Sequence, residues 1–210
     1  MKTTKRYVLT NERDPSEKLR RIKRCVDGEL GGFIESEENL PQSENGWVSG
    51  NAQVSGDARV SGNARVSGDA QVFGYARVFG YALVSGYAQV SGDARVSGNA
   101  RVSSGAQVFG NARVSGYALV SGHAQVSGNA RVSGHAQVSG GEWESSPIQI
   151  EFCKHFVTNS APGKITIGCQ THSFSDWLKY YKLIGKRSGY SPTEIQQYGS
   201  IIRLIVKIGV

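Results

Sequence analysis

Valine recurs at every sixth residue from Val48 to Val138, sixteen times without a miss, and alanine stands four residues after each valine from Ala52 to Ala136. Between these apolar positions the chain is polar or small. The unit runs Val, Ser, Gly, then Asn, Asp, Tyr or His, then Ala, then Arg, Gln or Leu, as in Val54-Ser55-Gly56-Asp57-Ala58-Arg59. A period of six does not fit a helix of 3.6 residues per turn, but it suits very short strands alternating with Gly-centred bends. Valine favours a pleated surface, alanine fits where walls approach closely, and glycine takes the backbone angles of a corner. A fixed short period is the mark of a solenoid, because one unit buries too little alone and must stack on its neighbours.

The residue after each alanine sets the number of faces. Taken every third unit it reads Gln53, Gln71, Gln89, Gln107, Gln125 on one face and Arg59, Arg77, Arg95, Arg113, Arg131 on the next. The third face is mixed: Arg65, Leu83, Arg101, Leu119, Gln137. Two pure columns and one that partly alternates make the true repeat eighteen residues, three strands to a coil. The prediction is an all-β solenoid, a parallel β-helix of about five coils stacked about 4.8 Å apart, roughly 24 Å long. The thirty-six residues starting at Gly80 and at Gly116 both open Gly-Tyr-Ala-Leu-Val-Ser-Gly, so tandem duplication is an alternative origin for the pure columns.

Outside residues 47–140 the pattern stops. Residues 1–46 form an N-terminal capping segment, with Tyr7-Val8-Leu9 and Ile22 to Val26 as short strands and Gly28 to Ile34 as a Gly-rich lead-in that plugs the first coil. In 141–210, Ile148 to Phe156 and Lys164 to Cys169 read as strands, followed by two helices that cover the last coil. Ser175 is the expected cap of the first, with Trp177, Tyr180, Tyr181 and Ile184 on its apolar side. Ser191-Pro192-Thr193-Glu194 reads as a capping box opening the second.

Composition adds charge to this picture. The formal net charge is +7, and the array holds seven arginines against Asp57, Asp69 and Asp93. Stacked arginines repel, and Asp57 and Asp93, two residues before Arg59 and Arg95, are placed to compensate two of them; a bound polyanion is the alternative. Phe73 and Phe109 follow valine on the arginine face, beside which they are placed to stack on a base or ligand ring. Phe79, Tyr81, Leu83, Tyr117 and Leu119 form an apolar strip on the mixed face, with the leucines exposed, that reads as the contact of a homo-oligomer. Lys18, Arg20, Arg21, Lys23 and Arg24 make a second basic cluster, and Lys179, Lys182 and Lys186 lie opposite the apolar stripe of the first helix. No apolar run reaches the length of a membrane span, and no signal-peptide stretch follows Met1 to Arg6, so no membrane partner and a cytoplasmic location are expected. Cys25, Cys153 and Cys169 read as free thiols. Cys153, His155, Cys169 and His172 offer two sulfurs and two nitrogens to zinc, but the first pair is too tightly spaced for the usual ligand hairpin, so no metal and no cofactor is expected.

The Val-Ser-Gly-Asn-Ala-Arg unit resembles the hexapeptide motif of left-handed parallel β-helices, and the left hand is implied by that resemblance alone. More closely, Gly28-Glu-Leu-Gly-Gly-Phe-Ile-Glu-Ser-Glu-Glu-Asn-Leu40, the array, Ile167-Gly-Cys-Gln-Thr-His172 and Trp177 resemble small phage and prophage hexapeptide-repeat proteins, which are often labelled transferases on the repeat alone. The resemblance implies an accessory role in the cytoplasm of an infected bacterium, such as interference with host defence by binding a host protein, nucleic acid or nucleotide. The hexapeptide acyltransferases resemble the array too, yet they build a coenzyme cleft with a basic histidine and an extruded loop. Here no loop leaves the array, and His123 and His135 sit on different faces with no second catalytic group. The sequence therefore reads as a non-enzymatic binding scaffold, with an acyltransferase and a nucleic-acid-binding protein as the alternatives.

Overall fold

A computed structural model describes residues 5–208. Each unit of the array forms a two-residue rung, such as Gln53–Val54 or Arg59–Val60, whose second residue points inward. Every array valine and alanine is fully buried, so the core is a narrow column of these two residues. Rungs pair in parallel with those eighteen residues away, like on like: Gln53 with Gln71, Arg59 with Arg77, Leu83 with Arg65 and Arg101. The ladder bonds are regular, as in Gln53 N–H to Ala70 O at 2.9 Å and Ser55 N–H to Val72 O at 3.0 Å. Corners require glycine for two reasons. Gly62 has φ of +63°, and a Cβ on it would lie 2.9 Å from the Gly80 nitrogen in the next coil. Ser104, which replaces glycine at one corner, keeps the same left-handed backbone at φ +60° and leaves the period intact.

The result is a parallel β-solenoid of about six turns, not five. The mixed sheet has six rungs, from Trp47–Val48 to Gln137–Val138, and the arginine sheet has five. The added rungs lie at the two ends. Trp47, at the start of the pattern, precedes Arg65 in the mixed column, while Phe33 and Glu142, outside it, precede Gln53 and follow Gln125 in the glutamine column.

The Gly-rich lead-in contains a strand, β3 (Leu30–Ile34), which joins the glutamine sheet in parallel. Antiparallel strands β1 (Tyr7–Arg13) and β2 (Arg20–Arg24) extend that sheet away from the coils. β3 runs so close to the first coil that a Cβ on Gly32 would fall 2.5 Å from the Ala52 oxygen. Tyr7, Ile22, Ile34 and Leu40 continue the buried valine column at this end. The arginine sheet lacks a first rung, and Asn39, in the short 3-10 turn Glu37–Asn39, fills in for it. Its Nδ2 donates to the Gly56 and Ala58 oxygens at 2.8 and 2.9 Å, and its Oδ1 accepts from Glu35 and Ser36.

The C-terminal part differs from expectation at four points. The stretch read as one strand over Ile148 to Phe156 is a hairpin of Gln149–Phe152 and His155–Ala161, turned at Cys153, whose φ is +44°. The stretch read as Lys164 to Cys169 is the strand Lys164–Ile167, followed by a turn and the strand Gln170–Ser173. Helix α1 (Phe174–Arg187) is capped by Ser173, not Ser175, because the Ser173 hydroxyl reaches the Asp176 N–H at 3.1 Å. The capping box of α2 (Pro192–Ile208) is present in both directions, with Glu194 N–H to Ser191 Oγ at 3.2 Å and Ser191 N–H to Glu194 Oε2 at 2.7 Å. The helices do not cover the last coil. They pack on the four-stranded antiparallel sheet around a separate core of Val157, Ile165, Ile167, Trp177, Tyr198, Ile202 and Ile205. It is that sheet which abuts the coils, through Ser139 N–H to Ser160 O at 2.8 Å, while Trp143 and Phe156 close the valine column. Among the described residues no helix is long and apolar enough to cross a membrane.

Candidate functional site

The parallel ladder brings the five arginines of one column into register. Arg59, Arg77, Arg95, Arg113 and Arg131 are all exposed and pair directly with one another along the sheet. The expected compensation by Asp57 and Asp93 does not form ion pairs. The ion pairs among the described residues all lie outside the array: Lys5–Glu37, Arg21–Glu12, Arg24 with Asp27 and Glu29, and Lys154–Glu194. The aspartates sit on the corner before the strand, and their short side chains do not reach the guanidinium groups. They still shape the field. A cleft of about 630 Å³ at one end of the face holds Arg59, Arg77 and Arg95 together with Glu38, Asp57 and Asp93. At the other end the equivalent corners are Asn111 and Asn129, so Arg113 and Arg131 are not balanced in this way.

Phe73 and Phe109 are not on the arginine face itself. Each follows the rung valine of the glutamine sheet and therefore lies on the bend between the glutamine and arginine sheets, with Phe73 exposed and Phe109 half-buried. Phe79 likewise occupies the bend between the arginine and mixed sheets rather than the mixed face. The residue after a strand's valine belongs to the corner that leaves that strand, which is why all three shift by half a face.

On the mixed sheet Leu83 and Leu119 are half-buried, not exposed, because each is flanked in the ladder by longer side chains such as Arg65 and Arg101. Tyr81 and Tyr117 stand at the edge, 64% and 62% exposed. Tyr117 stacks flat on His135, with ring centroids 5.0 Å apart. Two clefts share Leu83 and together span the whole face. One, of about 1100 Å³, runs from the N-terminal strands over Trp47 and Arg65 to Leu83; the other, about 430 Å³, continues over Arg101 and Leu119 to Gln137. The larger one could not be foreseen, since its wall is the turn after β2, where Val26 stands 87% exposed. Its one sequence signal is Trp47 at the head of the mixed column.

The N-terminal basic cluster is largely absorbed by the fold. Arg20 donates to the Thr10 and Leu9 oxygens, and Arg21 pairs with Glu12 and lies 4.3 Å above the Phe33 ring. Arg24 pairs with Asp27 and Glu29 and covers Trp47 at 4.4 Å. Burial, reinforced by Arg24, holds the Arg6 guanidinium below its usual value although Tyr7 acts the other way; it donates to the Pro41 and Gly46 oxygens.

The four side chains weighed as zinc ligands are directed elsewhere. His155 faces Tyr190 at 5.7 Å, His172 stands edge-on to Trp177 at 5.0 Å, and Cys153 and Cys169 are exposed, as is Cys25. No group of three potential ligands occurs among the described residues. Burial pushes the Tyr190 hydroxyl up to about 12. His123 is exposed at the corner beside Gly105, and His135 is held between Tyr117 and Phe156. Lys179 and Lys182 lie over Tyr180 and Tyr181.

The family model of the YdcK beta-solenoid repeat matches residues 52–68, 58–72, 88–104, 106–122 and 124–140, each within the stacked coils. The chain is a repeat β-solenoid protein. No curated protein matches it. The matched residues are those of the ladder, so this likeness concerns the framework that carries the faces and leaves both capping parts outside it.

Proposed function

We propose that this protein is a non-catalytic binding scaffold whose arginine sheet takes a linear polyanion, with single-stranded nucleic acid the class it suits best. The observation that carries the reading is the column of five exposed arginines with no carboxylate in ion-pair contact. Unit charges held near the ladder spacing repel by about 1 kcal/mol per neighbouring pair in water. A polyanion turns this repulsion into attraction and gains from counterion release. The ligand registers toward Arg113 and Arg131, where the corner residues Asn111 and Asn129 leave positive charge unbalanced, with Arg95 next along the ladder, and Phe109 at the adjoining bend supplies a ring for stacking. The resemblance to phage and prophage repeat proteins supports the bacterial cytoplasm as the setting, with host nucleic acid as ligand and interference with a host defence as the outcome.

A labelled oligothymidylate tests this by fluorescence anisotropy across a salt series. Replacing Arg95, Arg113 and Arg131 by Gln should weaken binding at least about ten-fold and flatten its salt dependence, while the melting temperature holds or rises. Arg59→Gln with Arg77→Gln should have the smaller effect. A triple variant that binds like the wild type and melts lower makes the arginines structural and overturns the reading.

A further inference from the structure

The mixed sheet carries a second pattern that the polyanion reading does not use. Its floor alternates along the solenoid axis: Trp47, Arg65, Leu83, Arg101, Leu119, Gln137, with exposed arginines between apolar rungs. The corner column beside it alternates in step: Asn63, Tyr81, Asn99, Tyr117, His135. Like therefore follows like every second rung, about 9.6 Å apart at a ladder spacing of about 4.8 Å. A polyproline II helix has three residues per turn and a rise of about 3.1 Å per residue, so its pitch is about 9.3 Å. The two repeats agree to within a few per cent, and polyproline II ligands dock in grooves between aromatic rings.

Charge narrows the partner further. Of the residues lining the two clefts on this face, the single carboxylate is Glu29, and it already holds Arg24 at 2.7 Å. Arg65 and Arg101 have no ion-pair partner among the described residues. A two-fold copy of the chain laid face to face here would press these arginines against a surface that offers no counter-charge, which is costly for desolvated ions. An acidic ligand offsets that cost by supplying the counter-charge.

We infer that the mixed face is a docking trough for an extended, acidic, proline-rich segment in the polyproline II conformation, with prolines seated beside Tyr81 and Leu83 and beside Tyr117 and Leu119, and a carboxylate at every third residue on Arg65 and Arg101. The floor from Trp47 to Gln137 spans about 24 Å, room for about eight residues of such a helix. Val26 lines the trough at its N-terminal end, and Gln137 with His135 lines it at the other.

The probe is a labelled nine-residue peptide of three Pro-Pro-Glu units, titrated against the full chain by fluorescence anisotropy. Saturable binding is expected, at least about ten-fold tighter than for three Gly-Gly-Glu units, which carry the same charge without the preformed helix. Three Pro-Pro-Lys units should not bind. Arg65→Gln with Arg101→Gln, and separately Tyr81→Ala with Tyr117→Ala, should each weaken binding about ten-fold or more, with circular dichroism unchanged. Arg113→Gln should leave it as it is, and excess oligothymidylate should not displace the peptide, so this proposal and the polyanion reading fail independently. Equal binding of the proline and glycine peptides, or insensitivity to the Arg65 and Arg101 changes, overturns it. So does a wild-type dimer at micromolar concentration in light scattering that becomes monomeric with Leu83→Glu and Leu119→Glu, since a second copy then occupies the face.

Discussion

Asn39 does with one side chain what the rest of the array does with backbone. Its amide group donates to two carbonyl oxygens at the open edge of the arginine sheet and accepts from the Glu35 and Ser36 N–H groups that follow β3, and it is 1% exposed. A carboxylate in its place keeps the acceptor, loses both donors and sets a negative charge against two carbonyls. Each buried group left without a partner costs about 1–3 kcal/mol. Asn39→Asp should therefore lower the stability of the chain by at least about 2 kcal/mol, read from the shift in urea midpoint. A change of less than about 0.5 kcal/mol, the range of an ordinary surface substitution, shows that the edge is held by something else.

At the scale of the element, the coil is the unit because every rung finds its partner eighteen residues away. Deleting Val84 to Arg101 joins Leu83 to Val102 on the same sheet and keeps all three columns in register. The product should fold cooperatively, one coil shorter, with a smaller urea m-value in proportion to the surface removed. Deleting Val84 to Gln89 instead shifts each later column onto the next face. It also breaks the glutamine sheet that bears β3 at one end and the Trp143 rung at the other. This variant should melt lower and lose the continuous arginine column, and with it oligothymidylate binding. If the two deletions melt alike and bind alike, the three-sided register is wrong.

For the whole molecule, what matters is that there are two cores. The valine column with its end residues forms one, and the C-terminal sheet and helices form the other, in contact chiefly through the strand His155–Ala161. Ile165 lies at the centre of the second and is fully buried. Ile165→Ala should cost about 2–5 kcal/mol in that unit. Hydrogen exchange should then rise across 149–208 while the rungs between Gln71 and Val120 keep their protection. A uniform rise along the chain would mean that the two units unfold as one.

The ladder was legible from the sequence because local and tertiary information coincide there. Each residue packs on a near-copy of itself one coil away, so an inward valine, a tight alanine and a corner glycine repeat wherever the fold repeats, and the columns name the faces. The capping box at Ser191 was legible for the same reason, since cap and backbone lie within one turn. Only the tertiary structure decided the rest. Trp47 keeps the eighteen-residue period, but Phe33 pairs with a residue twenty positions on and Asn39 bonds through its side chain to backbone, so no period reveals how residues 30–46 complete the turn. The turn at Cys153 and the cap at Ser173 depend on hairpin geometry that an apolar run does not encode. The reach of Asp57 and Asp93, the half-face shift of Phe73, Phe79 and Phe109, and the trough beneath Val26 all follow from distances across corners and between segments far apart in the chain. A spacing along the chain cannot measure those distances, which become definite only when the coils stack and the ends fold over them.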